Sequence, residues 1–179
     1  SNNNDLHVEF GMGKGGFIIE MARQNPDINY IGVERFETVV YKACKKAERD
    51  QLVPNLRFIC ENVGLCKDIF SKGEVDRIYL NFSDPWPKNR HANKRLTYRK
   101  FLKKYDYLLC KKGQIHFKTD NKGLFEFTLN ELSDQDWKMK NITFDLHASG
   151  IKGNVMTEYE ERFSSQGMPI YRLECFPRR

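Results

Sequence analysis

Between Leu80 and Leu96 the sequence reads LNFSDPWPKNRHANKRL, where one acid, Asp84, separates an apolar run from Lys88, Arg90, His91, Lys94 and Arg95. Pro85 and Pro87 bracket Trp86. Their fixed φ angles stiffen the segment and hold a carboxylate and a ring at one place. Such a pair at the mouth of a basic patch suits chemistry on part of a polyanion. Upstream, VEFGMGKGG meets two glycine patterns at once. Gly11, Gly13 and Gly16 satisfy G-x-G-x-x-G, and Glu34 follows at roughly the twenty-residue offset at which a dinucleotide fold grips a ribose, so a nicotinamide-dependent oxidoreductase is a competitor. Glu9, Gly11, Gly13 and Gly15 also satisfy E-x-G-x-G-x-G, with an acid ahead of the glycines. Either way the loop lets backbone approach a ligand closely, and the next helix N-terminus adds donors.

These residues need elements to position them. LHVEF, INYIGVE, NLRFICEN, VDRIYLNF and GQIHFKTD read as strands, alternating with helical patterns in GKGGFIIEMARQN, ETVVYKACKKAERDQ and LCKDIF. From Asn93, taken as an N-cap, Tyr98, Phe101, Leu102, Tyr105, Leu108 and Leu109 fall at helical spacing and leave lysines and arginines outside. A helix in KGLFEFTLNELSD precedes two last strands, WKMKNITFDL and MPIYRLECF, with no crossover helix between them, so that pair is expected to be antiparallel. The alternation predicts an α/β fold: a mostly parallel sheet with helices on both faces. Ligands of such sheets bind outside the carboxyl ends of the strands. Here those ends carry Glu9, Glu34, Asn62, Asp84 and Asp120. Each alone is an ordinary strand cap; together they form a polar rim. The segment from Ala148 to Thr157 reads as a long loop, of the kind that is functional or mobile.

A chain of 179 residues suits one domain, residues 1–179. Its 40% hydrophobic and 30% charged residues exclude a disordered or fibrous class, and a net charge of +6 favours polyanionic partners. The five cysteines, Cys44, Cys60, Cys66, Cys110 and Cys175, make no C-x-x-C, and the four histidines show no metal-ligand spacing. Reduced thiols in a cytoplasmic protein, with no metal and no membrane partner, are the expectation. The first strand begins only five residues in, which suggests an upstream segment that is missing or processed.

DPWPKNRH, KRL, FKTDN and TEYEERF with the later PIYR, taken together, resemble the bacterial tRNA (guanine-N7)-methyltransferase family, from about Leu6 to Tyr171. The glycine loop likewise resembles the first motif of class I S-adenosylmethionine-dependent methyltransferases. The resemblance implies a Rossmann-like, seven-stranded methyltransferase fold with an antiparallel C-terminal strand. It implies S-adenosylmethionine as cofactor and tRNA as partner, with methylation at N7 of guanine 46 in the variable loop; the chain is expected as a monomer or homodimer. It places Glu9, Gly11, Gly13 and Gly15 against the methionine part, Glu34 at the ribose, and Asn62 with Val63 at the adenine, with Arg35 also among the cofactor-binding residues. Asp84 falls at the junction of cofactor and substrate. The guanine and its nucleotide fall among Lys88, Asp120, Thr157, Glu158, Tyr159 and Glu160, with Asp84, Asp120 and Glu160 as the acids that act on the base. Arg90, His91, Ala92, Asn93, Lys94 and Arg95 match the family's RNA-contacting loop. A noncatalytic tRNA-binding protein on the same fold is the third reading; the intact set of acids speaks against it.

Overall fold

The computed structural model describes residues 2–49 and 53–178. Asp50 and Gln51, which the helical pattern above includes, lie outside the described residues. Seven strands form one sheet in the order β3-β2-β1-β4-β5-β7-β6. They are β1 (Leu6–Phe10), β2 (Asn29–Glu34), β3 (Leu56–Cys60), β4 (Val75–Asn81), β5 (Leu109–Thr119), β6 (Trp137–Thr143) and β7 (Tyr171–Pro177). β1 to β5 pair in parallel, and β7 runs antiparallel to both neighbours, β5 and β6. The expected antiparallel pairing of the last two strands is what the sheet shows.

The helices are α1 (Gly16–Gln24), α2 (Glu37–Arg49), α3 (Cys66–Ile69), α4 (Arg99–Leu108), α5 (Lys122–Asp134) and α6 (Glu158–Ser164). Successive strand side chains point to opposite faces. Val8, Phe10, Ile78 and Leu80 join one buried cluster with Phe101, Leu102 and Phe125, while Tyr79 joins another with Phe17, Ile18 and Ala43. Both faces of the sheet are therefore covered, as near-continuous apolar strands require. α1 can sit close because Gly15 and Gly32 leave room: a Cβ on Gly15 would lie 3.1 Å from Ala43 Cβ, and one on Gly32 2.3 Å from Met12 Sδ.

The helix expected from Asn93 begins later. Residues Asn89–Lys94 form a 3-10 segment, Arg95 turns extended, and α4 starts after Tyr98. Two buried contacts hold the chain out of the helix there: Thr97 Oγ1 meets Thr128 Oγ1 at 2.8 Å, and the Arg95 side chain turns back toward Pro85. Asn121 caps α5 as its type allows, accepting from Leu124 N at 2.8 Å. α6, a short helix that periodicity alone does not separate from its loop, is capped by Thr157, whose hydroxyl accepts from Glu160 N at 2.9 Å.

Candidate active site

Strand order reverses between β2 and β4 on either side of β1, and the carboxyl ends of β1 and β4 meet there. Asn81 Nδ2 donates to Glu9 Oε1 across that point at 2.8 Å. Glu9 is 2% exposed. Its second oxygen, Oε2, has no hydrogen-bond partner among the described residues, nor has Asn81 Oδ1. Burial pushes the Glu9 carboxyl up to about 8, against the pull of Asn81 and Lys118. A buried acid with a free oxygen is set to receive a cationic donor.

The glycine loop runs over this point. Gly11 and Gly13 have φ of 75° and 56°, where a side chain would be strained. Gly11 N donates to Val33 O, and Gly13 N reaches Glu34 Oε2 at 3.2 Å. The other Glu34 oxygen accepts from Arg35 N and Phe36 N at 2.8 and 3.2 Å, so backbone amides aim this carboxylate. Asn62 accepts from Gly64 N at 2.7 Å and starts a 3-10 turn over Val63–Leu65.

Two adjoining cavities share Gly11, Gly13, Val39 and Phe82. The larger, about 940 Å³, brings together Glu34, Arg35, Asn62, Val63, Asp84 and Trp86, with Lys94 at its edge. The smaller, about 350 Å³, is bounded by Glu9 and Asn81 on the sheet side and by Thr157, Glu158 and Tyr159 on the other. Gly15 lines neither; it packs against α2.

Asp84 is exposed and lies in a segment whose backbone is held against its preferences. Phe82 and Trp86, neither a glycine, have φ of 51° and 43°. Such residues persist only where the surroundings over-determine them. Phe82 N donates to Lys118 O at 2.9 Å, and around Trp86 the surroundings are Arg95, which donates to Pro85 O at 3.0 Å and Trp86 O at 2.9 Å. Its guanidinium also lies 4.3 Å from the Phe127 ring centre, and the residue is 8% exposed. Arg95 therefore grips the protein's own loop, in contrast to the RNA contact expected of it. Lys88, Arg90 and Asn93 stand exposed, and Ala92 is half-buried. His91 meets Trp86 edge-on at 5.7 Å, and Lys94 lies 4.6 Å over the same ring.

Asp120 follows β5, half-buried, and is not part of either cavity wall. Glu158 pairs with Lys46 at 2.5 Å, and that bond holds its carboxyl below the usual carboxylate range. Tyr159 is 57% exposed and leans on Phe82, 6.1 Å between ring centres. Glu160 departs from the expectation of an acid facing the base: it is fully buried, and its carboxylate accepts from Lys118 Nζ and Asn154 Nδ2, each at 2.6 Å. A carboxylate so enclosed has no free face toward a ligand.

Asn81 and Lys118 lie inside the quoted stretches LNFSDPWPKNRHANKRL and FKTDN without being singled out there as site residues, and Lys46 lies outside every motif. Lys118 carries a readable signal all the same, since a lysine inside the apolar strand IHFKT is rarely left buried without an acid to meet it. Among the described residues no cluster of His, Cys, Asp and Glu could hold a metal, and no helix is long and apolar enough to cross a membrane. Among the described residues the cysteines form no disulfide.

Known proteins resemble this chain in sequence and in fold. A family model described as "Putative methyltransferase" matches residues 3–173. A tRNA (guanine-N(7)-)-methyltransferase of Bacillus licheniformis is 53% identical over 174 residues, 97% of this chain and 81% of that protein. One of Listeria monocytogenes is 54% identical over 175 residues, with the same two coverages. Among solved structures, an antibiotic-related methyltransferase superposes with a TM-score of 0.68 at 19% identity, covering 96% of this chain and 86% of its own. An Aquifex aeolicus SAM-dependent methyltransferase gives 0.66 at 11%, covering 97% and 84%. At such identities the structures establish the fold, which is that of methyltransferases, and the sequence relatives establish the rest: this chain belongs to the bacterial tRNA (guanine-N7)-methyltransferase family.

Proposed function

We propose that this enzyme transfers the methyl group of S-adenosylmethionine to N7 of a guanine in tRNA, at position 46 of the variable loop. The observation that carries the reading is the pair of adjoining cavities, joined at Gly11, Gly13 and Phe82, with acids on both sides. The relatives' names supply the substrate, and the position within tRNA rests on the family resemblance.

The residues fit the cofactor. Glu9 Oε2 and Asn81 Oδ1 in the small cavity and Ser83 Oγ beside the large one are buried with no hydrogen-bond partner among the described residues. Glu9 would accept from the amine of the methionine part, the aimed Glu34 carboxylate from the ribose hydroxyls, and Asn62 with Val63 would border the adenine. When bound, S-adenosylmethionine supplies an electrophilic methyl group on a sulfonium.

Guanine N7 carries an exposed lone pair, so no residue need remove a proton before attack. The protein's task is orientation and charge. Asp84 and Asp120 would stabilise the positive charge that develops on the purine and accept from its N1–H and amine. Trp86 and Tyr159 offer faces for the ring. Thr157 fixes the start of α6, and Lys88 and Arg90 reach toward phosphates. A nicotinamide enzyme would give the proline-locked acid and its basic flank no role.

Transfer of a labelled methyl group to unmodified tRNA, followed by nucleoside analysis, tests the reading. Label in 7-methylguanosine, lost when guanine 46 is replaced by adenine, is the expected result. Bound cofactor with no label in tRNA would leave a binding protein instead.

A further inference from the structure

Behind the smaller cavity lies a buried cluster that the reaction scheme leaves unused. Lys118, on β5, is in register with Asn81 on β4, whose amide holds Glu9. Its side chain is 5% exposed, and its ammonium lies 5.2 Å from the Phe17 ring centre. Nζ donates to Glu160 Oε2 at 2.6 Å and to Asn154 Oδ1 and Val155 O, both at 3.0 Å. The remaining Glu160 oxygen accepts from Asn154 Nδ2 at 2.6 Å and lies 3.2 Å from His147 Nε2. Asn154, Val155 and Glu160 thus converge on one lysine, and Thr157, Glu158 and Tyr159 of the same segment form the outer wall of the cavity. Apolar contacts of the segment lie nearer its surface: Met156 is 45% exposed, Tyr159, 57% exposed, leans on Phe82 and Phe163, and Val155 touches the α1 cluster.

We infer that Lys118 is a positioning residue that docks the substrate-side wall onto the cofactor-side edge of the sheet. Pulling Asn154, Val155 and Glu160 inward, it seats the start of α6 opposite Glu9. Removing it frees the wall and leaves the glycine loop and β1 in place. The inference deepens the methyltransferase reading and rests on it for the identity of the two ligands.

Amide exchange and kinetics of Lys118→Met and of Lys118→Met/Glu160→Gln provide the test. The double variant removes both buried charges, so it retains the fold even if the single one does not. In the double variant, exchange over 154–160 should rise about tenfold or more while β1 and β4 keep their protection. KM for tRNA should rise about tenfold while Kd for S-adenosylhomocysteine changes by less than about threefold. Unchanged protection of 154–160 in the double variant overturns the inference. So does a Kd for S-adenosylhomocysteine that rises together with KM, which would place Lys118 in the cofactor site or in folding. If the wild type methylated no tRNA, the proposed function would fail on its own, and the exchange measurement would still decide the role of the lysine.

Discussion

The guanidinium of Arg95 donates to the carbonyl oxygen of Pro85 at 3.0 Å, closing a loop over residues 85–95 around Trp86. A positive charge in a basic cluster is here a structural clamp. Arg95→Ala should lower stability by about 2 kcal/mol, as expected for the removal of charge-assisted hydrogen bonds. It should lower kcat through a misplaced Asp84 and leave the salt dependence of tRNA binding unchanged. Denaturant melts and binding titrations at several salt concentrations check this.

Lys88 and Arg90 behave oppositely. Both are exposed, and it is the backbone carbonyl of Lys88, not its side chain, that accepts from His91 N at 2.9 Å. Replacing either by alanine should weaken tRNA binding and reduce the slope of log K against log salt by about one for each phosphate left without its cation. Thermal stability should stay within about 0.5 kcal/mol of wild type.

Glu9 predicts a pH dependence. Its folded carboxyl titrates near 8 and its reference value is 4.5. The folded state therefore binds the proton more tightly, and the associated stability, full below 4.5, is lost as pH rises through 8. On the acid side, burial lowers His7 from 6.5 to about 4, so stability present above 6.5 is lost as pH falls through 4. The ligand-free protein should be most stable between these limbs, with Glu9 contributing a slope of up to about 1.4 kcal/mol per pH unit on the alkaline side. Glu9→Gln should flatten the alkaline limb alone and abolish cofactor binding. Melts across pH 4–9 measure the first effect, and calorimetry with S-adenosylhomocysteine the second.

Two glycines of the same loop should fail differently. Gly15→Ala forces a Cβ to 3.1 Å from Ala43 at a φ of +76° and should destabilise by about 2 kcal/mol or more. Gly13→Ala meets nothing within 4 Å, so its strain at +56° should cost only about 1 kcal/mol. Its larger effect should be on cofactor affinity, read by calorimetry.

Asp120→Asn should reduce methyl transfer by roughly a hundredfold while leaving S-adenosylhomocysteine binding nearly intact, as expected for a group acting on transition-state charge. Equal losses in rate and in binding would make it a cofactor or folding residue.

The alternation of strands and helices is legible because each strand is a short apolar run bounded by turn residues, and the sheet needs nothing more to order itself. The polar strand ends are legible for the same reason. Burial of charge is not. Arg90 and Arg95 look alike in sequence, and so do Glu158 and Glu160, yet one of each pair is exposed and the other enclosed. What separates them is a partner distant along the chain: Phe127 for Arg95 and Lys118 for Glu160. The start of α4 escapes the sequence for a related reason. Apolar spacing marks which face of a helix is buried, but entry to it is set by Thr97 bonding to Thr128 on another helix.

The reversed strand has a consequence during synthesis. β7 is translated after β6 yet lies between β6 and β5. Until residues 171–177 are made, the outer edge of β5 lacks its neighbour and is a template for pairing with another chain, and β6, which joins the sheet through β7, has no edge to pair with. β7 fills that place and fastens both ends of residues 144–170, so the parallel strands and their glycine loop can form well before the wall at Thr157, Glu158 and Tyr159 is fixed.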